Sequence, residues 1–350
     1  MMGLAVACQV ADPVVPAVDA AQAAVAIRTQ MERCELAPAN SAARQLTQSH
    51  ADRPEGWLLL GDIAKRRWDT LGAAEAYTQA YALSDVSFPE LPLLVQFMRL
   101  SGSSDADIDG LLDDYERRHP DDPHLLDARL AHVAQSAQQR LVDGEDIQAE
   151  RALATEILDG PALPLCSSAP ACYHRAEALF LVERWAQAEA VLTRGIDLPG
   201  DPWDQLTMRM SLAFLLLQRG EVEPAKALMQ SYLDSYMAWE GCHFATLMPM
   251  PEYLGLTWRA HFGEPLEIPA AIASKRETAR AQGVGGQYDI GVTLRSCGSL
   301  LEALAVEDPD AVGRYIEDLR ILLARDIGCL SEAFVIRPHM VRTLDLLEAP

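Results

Sequence analysis

The chain has 350 residues, with 29 Lys plus Arg against 51 Asp plus Glu and a net charge of -22. That length allows a large core or several stacked repeats, and the acidity argues against a nucleic-acid partner, because holding phosphates needs a basic face. Ala, Leu, Glu, Gln and Arg are abundant and β-branched runs are few, which favours helix, and no stretch is apolar for long enough to cross a bilayer as a helix.

In chain order, residues 1–19 read as a tether. Within them Ala5-Val6-Ala7-Cys8 resembles the lipobox of a bacterial lipoprotein signal, with Cys8 as the acylated residue. Few residues and no Lys or Arg precede Cys8, which departs from a full signal; the expectation is a truncated lipoprotein signal, and the other reading is a plain apolar N-terminus. Prolines in 9–22 suit a linker. A helix pair is expected over about 20–51. Its first helix is AVAIRTQMERCEL (24–36), and Asn40 is the N-cap of its second.

Residues 54–87 carry the strongest pattern in the chain. Trp57, Leu60 and Gly61 are spaced W-x2-L-G, and Ala73, Tyr77 and Ala80 follow at A-x3-F-x2-A. This stretch resembles a tetratricopeptide repeat, the 34-residue helix–turn–helix unit. Gly61 and Ala73 are small where the two helices touch, and Trp57, Leu60 and Tyr77 are bulky enough to fill the space between hairpins. Ala64, Trp68 and Asp85 stand where the pattern has tyrosine, a turn glycine and proline. One hairpin cannot bury both faces, so neighbours are expected.

A further helix is expected from Pro89 to Leu100. The next is capped by Ser104 or Asp105, runs through Arg118 and closes at Pro120 and Pro123. It carries Asp105, Asp107, Asp109, Asp113, Asp114 and Glu116, which read as a solvated acidic face. Helices follow over His124–Val142 and Asp146–Leu158, and then the loop GPALPLCSSAPAC. The repeat pattern returns at 169–202, with Ala176, Trp185, Ala188, Leu192 and Gly195. In the next unit Ala225 falls 37 residues after Ala188, three more than the family period. Beyond Trp239 the signature fades, but helices still alternate in pairs. The expected organisation is a tether over 1–19, repeats over 20–238 and a divergent helical cap over 239–350.

Besides Cys8 there are six cysteines, an even number that suits disulfides in an oxidising compartment, with 15 possible connectivities for three bonds. Cys166 and Cys172, six residues apart across a proline loop, are the favoured pair. Buried small thiols are the alternative. Catalytic and cofactor motifs are lacking: there is no H-E-x-x-H, G-x-S-x-G or Walker loop, and the glycines at 283–286 follow a helix rather than a strand. Cys242-His243 and the scattered histidines read as structural. No cofactor and no metal are expected.

The family resemblance implies a right-handed, all-α superhelical solenoid whose first helices line a concave groove. Carried over position by position, it points Asp62, Lys65 and Arg66 into the groove from 54–87. From 169–202 it points Tyr173, Glu177 and Phe180, and from the following unit Met210, Phe214 and Leu217. Lys65 and Arg66 would hold a partner's carboxylate, or else form the solvated basic end of a helix. The aromatic and Met stripe would hold apolar side chains, or else be core. The expected function is a non-catalytic scaffold for a protein or peptide, on a bacterial envelope, meeting the membrane only through a lipid at Cys8. The alternatives are a cytoplasmic adaptor, or an enzyme with a site in the last third, near His243 or His261.

Overall fold

A computed structural model describes residues 19–142, 145–160, 165–166, 168–198, 201–238, 250–263, 266, 269–282, 284 and 345. Every regular element among them is an α-helix. The helices pair as α1 (Ala20–Glu32) with α2 (Leu36–Ser49), α3 (Glu55–Arg67) with α4 (Thr70–Ala82), and α5 (Leu91–Leu100) with α6 (Asp105–Arg118). They continue as α7 (Pro123–Val142) with α8 (Gln148–Leu158), α9 (Ala169–Leu181) with α10 (Trp185–Ile196), α11 (Pro202–Gln218) with α12 (Val222–Ala238), and α13 (Met250–Phe262) followed by α14 (Ala271–Ala281). The second helix of each pair packs on the first helix of the next, and α5, α7, α9 and α11 also touch in succession. The result is a row of hairpins stacked on their sequence neighbours.

The turns show the period directly. Cys34, Trp68 and Gly102 all have positive φ and fall 34 residues apart, and Glu183 and Gly220 do the same work 37 residues apart. A left-handed residue lets the chain leave one helix and re-enter the next within a few residues. Glycine is the cheap choice there; a residue with a Cβ gives up roughly 1–2 kcal/mol. Trp68 offsets that cost by packing its ring edge-on to Phe97, centroids 6.4 Å apart, and against Cys34, Leu36, Ala279 and Val284. This accounts for tryptophan in place of the expected turn glycine.

Caps explain the helix starts. Asp69 accepts from the Gly72 N–H at 2.9 Å and opens α4. Ser104 opens α6 with a reciprocal capping box to Asp107. The first pair differs from expectation. Helix α1 starts at Ala20 and stops at Glu32, because Cys34 turns left-handed, and α2 begins at Leu36, so Asn40 lies inside α2 rather than at its cap. Pro38 does not block this start, since the first-turn N–H groups have no intrahelical partner in any case.

The contact between α3 and α4 is as tight as the small residues imply. Ala73, Tyr77 and Ala80 are fully buried. A Cβ on Gly61 would lie 2.6 Å from Tyr77 Cε1. Tyr77 cannot swing away, because its hydroxyl is held by Asp62 and its ring packs on Phe97. Gly61→Leu is therefore expected to lower stability by roughly 1–3 kcal/mol or more. A thermal melt that matches the parent chain would refute this contact.

Cys166 and Cys172 lie at disulfide-bonding distance, with Cα atoms 5.2 Å apart, and tie the start of α9 to the preceding loop. Cys172 also sits where a Cβ on Gly195 would lie 2.8 Å away, so α10 crosses α9 closely at this point. Cys34 is buried; Cys242, Cys297 and Cys329 lie outside the described residues, as do Cys8, His243 and, apart from residue 345, the helices expected after 286. No helix among the described residues is long and apolar enough to cross a membrane.

Candidate functional site

The residues expected to line a concave groove fall into two sets, and neither is an open surface. Helix α3 brings Lys65, Arg66 and Arg67 to its last turn, where cations suit the dipole. Lys65 does not project into water. Its side chain is 11% exposed, and Nζ lies 3.4 Å from Asp201 Oδ2 and 3.6 Å from Asp204 Oδ2. Both carboxylates stand at the start of α11. Asp201 also caps that helix, accepting from the Trp203 N–H at 3.0 Å. The carboxylate partner that Lys65 was expected to find on another molecule is supplied by its own chain. Arg66 donates from Nη1 to the Met31 carbonyl oxygen at 2.9 Å, so it too is committed within the fold.

One turn earlier on α3, Asp62 accepts from the Tyr77 hydroxyl at 2.8 Å. Burial pushes the Asp62 carboxyl up, and the Tyr77 bond with Lys65 and Arg66 opposes that only in part. Burial raises Asp204 as well, helped by Asp201 and opposed by Lys65. For Lys65, burial alone would lower the ammonium, but Asp204, Asp201 and Asp62 outweigh it and hold it above the ordinary lysine value. One lysine is thus shared by three carboxylates.

The second set lies on α9 and α11. Tyr173 is partly buried, its ring edge-on to His174 at 5.3 Å. Glu177 is 7% exposed; it accepts from Gln138 Nε2 at 3.0 Å and lies 3.0 Å from His174 Nδ1. Phe180, Met210, Phe214 and Leu217 are all packed in the largest apolar cluster. The expected apolar stripe is corrected to core, because α10 and α12 enclose α11, and Leu254, Trp258 and Ile272 extend the same cluster into the last hairpin.

Sequence reasoning missed the most enclosed ion pair among the described residues. Asp127 on α7 and Arg175 on α9 are buried, and Arg175 Nε donates to Asp127 Oδ1 at 3.2 Å. Burial raises the Asp127 carboxyl against the pull of Arg175. The available signal was a charge with small and apolar residues one turn away on either side, as Arg175 has in Ala171, Cys172, Ala178 and Leu179. Asp201 and Asp204 were also missed, since no local pattern joins them to α3.

The acidic helix α6 is less free than a solvated face. Arg129 on α7 reaches Glu116 at 2.7 Å and Asp113 at 3.3 Å, His132 Nε2 lies 3.2 Å from Asp109, and Arg99 pairs with Asp105. Asp109 and Asp113 nonetheless keep most of their side-chain surface in water, at 62% and 68%.

Chemically, these arrangements join helices. They place buried charges between α3 and α11 and between α7 and α9, and leave carboxylates exposed on α6. No family model matches the chain, and no curated protein matches it either.

Proposed function

We propose that the chain is a tetratricopeptide-like, right-handed superhelical scaffold that binds a protein or peptide and carries out no catalysis. The observation that carries this reading is the row of hairpins, the first three turning 34 residues apart, each packed on its sequence neighbours. Such stacks present long continuous faces suited to extended partners. The net charge of -22 and the exposed carboxylates of α6 favour a partner with a basic segment. A bacterial envelope location, with a lipid on Cys8, is part of the same proposal. The cysteine pair at 166 and 172 agrees with an oxidising compartment.

The test is a peptide array probed with the full chain, with every sequence accompanied by a scrambled control of equal charge. The expected result is a set of bound sequences with a shared pattern. Asp109→Lys with Asp113→Lys should weaken their capture by about tenfold or more, about 1.4 kcal/mol. Binding no stronger than to the scrambled controls would overturn the scaffold reading.

A further inference from the structure

Helices α3 and α11 belong to hairpins far apart in the chain, yet they meet through charge. Lys65 of α3 stands against Asp201 and Asp204 of α11, with side chains 11%, 16% and 12% exposed. Asp62 of α3 joins them from one turn away. Arg66 has turned one Nη to the Met31 carbonyl oxygen of α1. The described elements packed around this contact add further polar and charged groups. Helix α4 presents the Tyr77 hydroxyl to Asp62, and His174 of α9 acts on Asp204. Burial raises the Glu90 carboxyl, just before α5, with Asp62 adding to the rise and Arg28 of α1 opposing it. Among the described residues, the carboxylates of Asp62, Asp201 and Asp204 thus crowd around one lysine, in a place where water screens them poorly.

An apolar seam continues the same contact. Trp203 lies between Asp201 and Asp204, and Trp68 follows Lys65 by one turn. Both pack on a cluster of Cys34 and Leu36 from the first hairpin with Ala279 and Val284 from the end of α14. The seam supplies attraction at any pH, and the ionic cluster makes that attraction depend on protons.

We propose that the α3–α11 contact is a proton-sensitive clasp between the N-terminal hairpins and the hairpins from α11 onward, closed more tightly in mild acid than at neutral pH. The clasp does not depend on what the chain binds. The sign follows from which form holds protons. Carboxyls raised by burial and mutual repulsion, as Asp62 and Asp204 are, keep protons in the closed form that the open form releases. Each such group strengthens closure as pH falls through its closed value, until the ordinary aspartate value of about 3.9 is reached. Lys65, raised by its neighbours, keeps its contribution throughout that window and loses it only in strong alkali. Helix α6 is an internal control of opposite sign. Against the opposing effect of burial, hydrogen bonds from its neighbours, Tyr115 of α6 among them, hold Asp122 below the usual carboxylate range, so acid weakens that region.

Amide hydrogen exchange on the full chain tests this, at about pH 5 and about pH 7.5 with rates corrected for intrinsic chemistry. The expected result is protection of α3 and the first turns of α11 that is roughly threefold or more greater in acid, while α6 does not gain. Asp204→Asn is neutral at either pH and should bring the neutral-pH protection up to the acid level. Asp62→Asn is the parallel variant on α3, used if circular dichroism shows that the first loses helix. Equal or lower protection of α3 and α11 in acid overturns the clasp. So does an acid-to-neutral ratio that stays at the parent value in both variants.

Discussion

Arg175→Ala is expected to lower the stability of the chain by about 3–5 kcal/mol, because it leaves Asp127 charged and buried without its partner. Both side chains are almost wholly enclosed, at 4% and 3% exposure, so water cannot replace the guanidinium. The loss should shrink on acidification. Asp127 is already raised by burial, and without Arg175 nearby it rises further, so a falling pH neutralises the stranded carboxyl and removes most of the penalty. Urea denaturation at two pH values measures both effects. The double variant Asp127→Leu with Arg175→Met separates charge from shape. A filled apolar pair is expected to recover most of the loss, since such replacements are often neutral or stabilising. If Arg175→Ala unfolds at the parent midpoint, the ion pair between α7 and α9 is refuted.

Phe214→Ala is expected to cost a similar amount, about 3–5 kcal/mol, through lost burial and the cavity left behind. Phe214 has no exposed surface and lies in the cluster that joins α9, α11, α12 and the last hairpin. The same substitution at a groove position would reduce partner binding and leave the fold alone. The denaturation midpoint therefore decides between the two placements, and a shift of several kcal/mol with helix content retained below the transition is the expected outcome. An unchanged midpoint would return Phe214 to an open surface.

Both expectations concern residues for which local sequence was silent or ambiguous. Where the sequence spoke clearly, the rules acted over one or two helical turns. The spacing of Trp57, Leu60, Gly61, Ala73 and Tyr77 contained the α3–α4 hairpin, because a 3.6-residue period and small residues at close approach leave few other ways to bury those faces. Ser104 or Asp105 announced α6, because either side chain can satisfy first-turn N–H groups, and the structure uses Ser104. Cys166 and Cys172 were legible as a pair because six residues around a proline keep their ends near each other. The error at α2 was of the same local kind: Asn40 offers a capping side chain, but after the left-handed turn at Cys34 the helix already begins at Leu36 without a side-chain cap.

Which faces meet across the stack is set by the accumulated rotation of several hairpins, and no local rule contains that sum. The 20-residue α7 and the 37-residue spacing from Glu183 to Gly220 each shift the later hairpins relative to the earlier ones. Lys65 therefore meets Asp201 and Asp204, and Phe180, Met210, Phe214 and Leu217 turn inward to the core. The sequence by itself determined that the described residues are helical, where the best hairpin lies and that Cys166 and Cys172 come together, since hydrogen bonding, side-chain period and short-loop closure are local. Only the tertiary structure decided which charges are neutralised from within and which apolar side chains are core, since burial depends on what the rest of the chain brings alongside.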